Sequence, residues 1–267
     1  MSVCMDYFFY FFVVVIGLIF GSFLNALVYR FHEKKSLWER SECPNCHKQI
    51  KWYDNVPILS FFILKGRCRN CKQKISWQYP IVELWMGIAS VCILYTWMPI
   101  YFDNKFPLLF FLLDIVRQGI IIWVLTFTFV YDLVYMEVSD LVVWSGVVSV
   151  FLLNVLLSQT GITNMFVGVG IGGGFFLLQY LISKGKWIGG GDIRLGVLMG
   201  IILGWQNTIL ALFISYLLGA IVGVYLLLTK KKEKNSEIPF GTFLTVGTLV
   251  AMWWGERIVG WYLGFLS

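Results

Sequence analysis

Long apolar runs make up most of this chain, and they limit the folds open to it. Apolar residues account for 58% of the 267 residues and charged residues for 13%, whereas a soluble domain carries about 25% charged residues. The runs lie at about 7–29, 81–99, 108–131, 141–158, 164–183, 193–204, 207–229 and 239–264. Several approach the roughly 20 residues that a spanning helix needs, although 193–204 is short. The pattern predicts an all-α polytopic membrane protein with about eight transmembrane helices, or seven with a re-entrant segment.

A polar segment, residues 30–80, interrupts this pattern after the first apolar run. It holds four of the six cysteines and 11 of the 21 Lys and Arg residues. We therefore expect three parts: a first transmembrane helix at 1–29, a small cytoplasmic zinc-binding domain at 30–80, and a transmembrane core at 81–267.

The distribution of basic residues predicts the orientation. Cytoplasmic loops collect Lys and Arg. If 30–80 is cytoplasmic, eight spans place 18 of the 21 basic residues on that side. Those beyond the module are Lys184, Lys186, Arg194, Lys230, Lys231, Lys232 and Lys234. We expect a multi-pass protein of the plasma (inner) membrane with its amino terminus outside. Topology also accounts for the net charge of +6, so no nucleic-acid partner is expected.

Two C-x-x-C pairs in the polar segment predict a metal site. The cysteines are Cys43 and Cys46 in "CPNC", and Cys68 and Cys71 in "CRNC". Two such pairs place four thiolates around a tetrahedral zinc ion and leave no open position, so the Zn²⁺ is expected to be structural. Redox dithiols and unligated cysteines are the alternatives, although a reducing cytoplasm disfavours disulfides. His32 and His47 are alternative ligands that we expect to be ordinary exposed side chains.

Two aspartates are predicted to lie at the same membrane depth. Asp132 ends the third apolar run, and Asp192 lies where the fifth connection meets the sixth run. An ionisable residue at a membrane span indicates function by default. Two adjacent carboxylates share a proton and titrate as a pair. One then acts as a base on water and the other as an acid on a carbonyl oxygen, which is aspartic-protease chemistry.

Three glycines, Gly189, Gly190 and Gly191, precede Asp192. Glycine adopts positive φ angles readily and permits close approach of another chain, so we expect Gly189 and Gly191 to support a mobile catalytic loop. The alternative is a flexible loop that ends in Asp192 as a helix N-cap.

Other carboxylates compete for the second role. Glu137 and Asp140 follow Asp132 closely, Asp114 is nearer the outer half of the third span, and Glu83 begins the second span as a structural residue or part of a second site. The G-x-G-x-x-G match at 168–173 lies within an apolar run, so we interpret it as helix packing and not as a dinucleotide fingerprint.

Taken in order, these motifs resemble those of the type IV prepilin peptidase family over nearly the whole chain. The matching stretches are "GSFLNALVYR", the paired C-x-x-C motifs, "NVPILSFFILKGRC", "ISWQYPIVEL", the Asp132 segment, G-x-G-D as Gly189, Gly191 and Asp192, and "IPFGTFL". The chain departs from the family pattern in three places. Ser139-Asp140 stands where the family usually has Pro-Asp, Arg194 replaces a usual lysine, and Gln78 stands where arginine is common.

The resemblance implies two activities. The protein would cut the basic leader from type IV prepilins or pseudopilins, whose hydrophobic helix enters from the lipid bilayer. It would then methylate the new amino terminus with S-adenosylmethionine. Asp132 and Asp192 match the family's catalytic pair, and the cytoplasmic module is associated with methyl transfer.

Two other functions are compatible with some of these features. A proton- or ion-coupled transporter also uses intramembrane aspartates and glycine-broken spans, but it predicts an inverted repeat and a polar path across the bilayer, which the sequence does not contain. A non-catalytic scaffold built on the cysteine module leaves both aspartates unexplained.

Overall fold

Helices form nearly all the regular structure in the described part of the chain. A computed structural model describes residues 2–37, 39–104, 107–229 and 238–264, and of residues 2–8 and 97–104 it describes the backbone alone. The helices are α1 (Ser2–His32), α2 (Leu59–Ile63), α3 (Gln78–Asn104), α4 (Leu108–Tyr135), α5 (Asp140–Leu157), α6 (Ile162–Ser183), α7 (Gly190–Leu228) and α8 (Phe240–Gly264), with one 3₁₀ turn at Trp52–Asn55. Helices satisfy their own backbone hydrogen bonds, as a chain in lipid requires.

Among the described residues, six helices are long and apolar enough to cross a membrane. They are Phe9–His32, Gln78–Thr96, Leu108–Tyr135, Asp140–Leu157, Ile162–Ser183 and Gly190–Leu228. The last would extend about 58 Å if it were straight, whereas the hydrocarbon core is roughly 30 Å thick. Helix α7 therefore does not cross as one rod.

Helix α7 folds back on itself at Gly204, which has φ 68° and ψ −177°. Residues 190–203 run antiparallel to α6, since Gly168 approaches Gly200 and Gly172 approaches Gly196. Residues 205–228 run parallel to α6, since Tyr216 contacts α6 further along, at Phe175 and Gln179. The two segments of α7 are therefore antiparallel. They confirm the two apolar runs predicted on either side of residue 205.

Counting α7 as two segments turns the six apolar helices into seven segments, and α8 corresponds to the eighth predicted run. Helix α8 has 25 residues and runs antiparallel to 205–228. Its Gly247 packs against Ser215, and its Gly255 packs against Asn207. The Gly168–Gly172 stretch is a helix-packing surface, which confirms the interpretation of residues 168–173.

Buried polar side chains brace the turn in α7. The N–H that follows Gly204 donates to Asn164 Oδ1 at 2.9 Å. Asn154, which is fully buried, donates through Nδ2 to the carbonyl of Ile201 at 2.8 Å. Its Oδ1 accepts from Arg117 Nη1 at 3.0 Å. These bonds satisfy backbone groups that the break in the helix leaves without partners.

The chain divides into two compact units, residues 1–115 and 116–267. In the first, α1 packs along α3 and the cysteine module lies between them in sequence. In the second, α7 packs against α5, α6 and α8. The three predicted parts (1–29, 30–80 and 81–267) remain a prediction about function, because compactness groups α3 with α1.

Candidate active site and metal centre

Asp132 lies in the last turn of α4 and is 5% exposed. Its Oδ2 accepts the backbone N–H of Thr242 at 2.8 Å. Thr242 is in the first turn of α8, where the N–H groups have no partner within the helix and the helix dipole favours a negative group. A residue 110 positions away therefore fixes the orientation of this carboxylate.

Asp192 lies in the first turn of α7 and is 9% exposed. The N-cap of α7 is Gly189, which makes no side-chain cap, and the Asp192 N–H bonds to the Gly189 carbonyl at 3.2 Å. Asp192 is thus not the N-cap that the alternative interpretation required. Its carboxylate is buried within the second unit.

The structure brings the segments that carry the two aspartates together. A Cβ on Gly241 would lie 2.9 Å from Asp132 Oδ2 and 3.2 Å from Leu195 Cδ1, and Leu195 is less than one turn after Asp192. The loop after α4 also meets the start of α7, since Val138 packs against Gly191. The two carboxylates therefore lie at one end of the second unit, as their predicted common depth required.

Of the three glycines before Asp192, only Gly191 is closely packed, and none of them has a positive φ angle. Gly189 has φ −77°, and the glycines with positive φ are Gly66, Gly185 and Gly204. The positive φ angles that glycine allows are not used at 189–191. Close approach does occur at Gly191, where a Cβ would lie 2.7 Å from Cβ of Val138. The neighbours of Gly189 leave room for a side chain, and its support role stays a prediction.

The competing carboxylates have other environments. Asp140 is the first residue of α5 and forms an ion pair with Arg194. Glu137 accepts from the Tyr131 hydroxyl at 3.4 Å. Asp114 is 18 residues before Asp132 on α4, about 27 Å along the helix axis. Asp192 is therefore the carboxylate best placed to work with Asp132.

Gly241 and Thr242 belong to this site, although the sequence did not single them out as site residues. The available signal was "IPFGTFL" at the start of the last apolar run. That pattern places Gly241 and Thr242 in the first helical turn but does not indicate which residue receives their N–H groups.

The four predicted cysteines form one cluster. The ligand atoms of Cys43, Cys46, Cys68 and Cys71 all lie within 4.8 Å of one another, and Sγ of Cys43 is 3.8 Å from Sγ of Cys71. Zn–S bonds of about 2.3 Å separate the corners of a tetrahedron by about 3.8 Å. The four sulfur atoms therefore fit a tetrahedral metal ion.

The two C-x-x-C motifs have the same local structure. In the first, Cys43 N–H bonds to the Lys48 carbonyl and His47 N–H to the Cys43 carbonyl; in the second, Cys68 bonds to Gln73 and Lys72 to Cys68. His47 and Lys72 occupy equivalent positions with positive φ. Each motif is thus a tight turn that points two thiols at the shared centre.

Two of the four thiols have pKa values shifted in opposite directions. The hydrogen bond from Asn45 lowers the pKa of the Cys71 thiol to about 6, whereas burial raises the pKa of the Cys43 thiol to about 11. A cation at the centre would hold all four as thiolates. Arg69, inside the second turn, binds Asp54 through two bonds of 2.8 and 2.6 Å and holds the pKa of that carboxyl below its usual range.

The histidines lie outside the sulfur cluster, as expected. His32 and His47 are exposed, and His47 Nδ1 faces Glu42 Oε1 at 3.6 Å. Neither is among the side chains grouped around the four sulfur atoms in the described part of the chain.

Comparison with known proteins gives matches to both units. Residues 15–97 match the Bacterial Peptidase A24 N-terminal domain, and residues 119–224 match the Type IV leader peptidase family. Three similar proteins are each named prepilin leader peptidase/N-methyltransferase. That of Legionella pneumophila is 31% identical over 97% of this chain and 96% of its own. Those of Pseudomonas putida (30%; 91% and 90%) and Bacillus subtilis (29%; 93% and 96%) follow.

No solved structure matches this chain. The two sequence families occupy separate units, and the one named for leader peptidases covers both aspartates. Neither the family matches nor these relatives support a transporter. With a relative of this identity along nearly its full length, the chain belongs to the type IV leader peptidase family.

Proposed function

We propose that this chain is an intramembrane aspartic endopeptidase that removes the leader of type IV prepilins or pseudopilins and then methylates the new amino terminus. One observation carries the first activity: the leader peptidase family covers a unit in which Asp132 and Asp192 are both buried and lie at one end. The relatives carry both activities in their name.

In the proposed reaction the two carboxylates share one proton and act on a water molecule. The ionised carboxylate takes a proton from the water while the water oxygen adds to the scissile carbonyl carbon. The protonated partner donates its proton to the carbonyl oxygen. The C–N bond then breaks: the first carboxyl gives its proton to the leaving nitrogen, and the second takes a proton back from the hydroxyl that becomes the new carbonyl. Thr242 N–H holds Asp132 in place for these steps, as positioning requires.

The substrate proposed here has a hydrophobic helix and a short basic leader. The hydrophobic helix of the substrate would lie in the bilayer beside this integral membrane protein and enter the site laterally from the lipid. Both aspartates lie near helix ends, so water reaches them from the membrane boundary. We place this end on the cytoplasmic side of the inner membrane, with the amino terminus outside. That orientation rests on the distribution of Lys and Arg. Four of these basic residues lie outside the described residues: Lys230, Lys231, Lys232 and Lys234.

The methyl transfer is assigned to the first unit, because the leader peptidase family covers only residues 119–224. S-adenosylmethionine would supply the methyl group. Polar side chains in the first unit that are open to testing for this activity are Asn25, Gln78 and Glu83. Gln78 donates to Asn25, which donates to the Tyr79 carbonyl. The zinc ion proposed at the four cysteines folds the module and has no open position for chemistry.

The two activities are tested together with a single purified prepilin. The protein in lipid nanodiscs is incubated with prepilin and methyl-labelled S-adenosylmethionine, and the products are read by mass spectrometry. We expect a shortened pilin that carries one labelled methyl group on its amino terminus. Intact prepilin at the end of the reaction contradicts the peptidase proposal. A shortened but unmethylated pilin contradicts the methyltransferase proposal alone.

A further inference from the structure

Helix α2, in the cysteine module, points apolar side chains outward. Leu59, Phe62 and Ile63 are 62%, 60% and 72% exposed, and their spacing places them on one helical face. Phe61 points the other way, is buried, and packs against the Trp77 ring with centroids 4.9 Å apart. A water-facing helix would have the opposite pattern. Trp52 and Trp77 of the same module are also largely exposed, and exposed apolar side chains grouped in this way mark an interaction site.

A hydrogen bond to the buried Glu83 side chain fixes the depth of this helix. Ile58, the N-cap of α2, donates its N–H to Glu83 Oε2 at 2.7 Å. Glu83 is five residues into α3, about 7 Å along its axis from Gln78. Glu83 also packs on Gly21 of α1: a Cβ added to Gly21 would lie 2.8 Å from the Cα of Glu83. Gly21 is about 16 Å before the end of α1 at His32. The start of α2 is therefore level with the membrane-spanning parts of α1 and α3.

The charges around α2 match an anionic surface. Between residues 55 and 82 the chain has five Lys and Arg residues and no Asp or Glu. Lys65 and Arg67 follow α2 directly and are exposed. Apolar side chains beside basic ones, with tryptophans at the boundary, are typical of segments that lie in the membrane interface.

We propose that α2 is an interfacial membrane anchor: Leu59, Phe62 and Ile63 insert into the lipid bilayer, and the adjacent basic residues contact anionic headgroups. The occupant of the surface is lipid because α2 is joined at this depth to two helices that themselves cross the membrane. The anchor holds the cysteine module flat on the bilayer. It does not depend on the catalytic proposal.

Spin labels report the environment of each position. Leu59→Cys, Phe62→Cys and Ile63→Cys are made in the zinc-loaded protein with Cys4→Ser and Cys92→Ser, and that background without a new cysteine gives the baseline. Lys48→Cys and Lys74→Cys are the matched controls, since both replace exposed residues of the same module that do not adjoin α2. The labelled proteins are reconstituted with zwitterionic lipid alone or with added anionic lipid. Collisions with oxygen, which dissolves in lipid, and with a water-soluble nickel chelate are measured.

We expect labels at 59, 62 and 63 to collide with oxygen and to lose access to the nickel chelate, while labels at 48 and 74 keep that access. Anionic lipid is expected to lower nickel access further at 59, 62 and 63. Nickel access at 62 and 63 equal to that of the controls in both lipids overturns the proposal. If nickel access falls only when prepilin is added, the surface belongs to the substrate and the lipid assignment is wrong.

Discussion

Gly241 leaves no room for a side chain beside Asp132, since a Cβ there would lie 2.9 Å from Oδ2. We expect Gly241→Ala to displace the carboxylate and lower the prepilin cleavage rate by about 100-fold, because a shift of about 1 Å at reacting groups has that effect. The matched control is Gly260→Ala on the same helix, where a Cβ meets open space. Equal cleavage rates for the two variants would show that close packing at 241 does not matter.

The Asp140–Arg194 ion pair joins the start of α5 to the turn of α7 that carries Asp192. Since exposed pairs contribute about 0.2–1 kcal/mol, we expect Asp140→Ala and Arg194→Ala each to slow cleavage by roughly two- to fivefold. The double variant should be no slower than the singles, and the exchange Asp140→Arg with Arg194→Asp should restore the rate. Additive losses, without rescue by the exchange, would mean that the pair does not position Asp192.

Residue types and their order predicted which side chains matter at this scale, but not what they touch. The cysteine spacing identified all four sulfur atoms, because two C-x-x-C turns have few other ways to point their thiols. The contact of Asp132 with Thr242 spans 110 residues and leaves no local trace in the sequence. Gly189 and Gly191 do not have positive φ angles, because glycine permits that conformation without requiring it.

At the scale of elements, the turn at Gly204 decides whether α7 crosses the membrane once or twice. Its φ of 68° is unfavourable for alanine, and Asn164 Oδ1 would lie 2.6 Å from the new Cβ. We expect Gly204→Ala to destabilise the protein by about 1–3 kcal/mol. The shift is read as a lower thermal midpoint in detergent. Gly174→Ala on α6, where a Cβ meets open space, is the control. Equal thermal midpoints for the two variants would mean that a side chain at 204 does not strain this turn.

The break at residue 204 could be predicted from the sequence because two apolar runs adjoin it. The lengths of the helices could not, since α1, α3 and α4 extend beyond their apolar runs into polar residues. A continuing helix satisfies its own backbone groups whether or not the flanking side chains are apolar. Hydropathy therefore locates a span better than it locates the ends of the helix.

At the scale of the whole molecule, the two compact units correspond to the two activities in the proposal. Removing the metal should therefore separate them. We expect Cys46→Ser with Cys71→Ser to lower zinc from about one ion per chain to none, to abolish methylation, and to leave prepilin cleavage largely intact. His47→Ala, in the same module but outside the sulfur cluster, should keep both zinc and methylation. Loss of cleavage together with methylation, in protein that remains folded, would contradict a division of labour between the units.

The central claim is that Asp132 and Asp192 form one catalytic pair, and prepilin cleavage by single-residue variants tests it most directly. Asp132→Asn and Asp192→Asn keep the shape of each side chain but remove its acid–base chemistry. Glu256→Gln is the control, an exposed carboxylate in the same unit. With equal protein amounts and products read by mass spectrometry, the account predicts that each aspartate variant loses cleavage by roughly 10²–10⁴-fold and that the control keeps it. Cleavage at the wild-type rate by either aspartate variant would contradict the account.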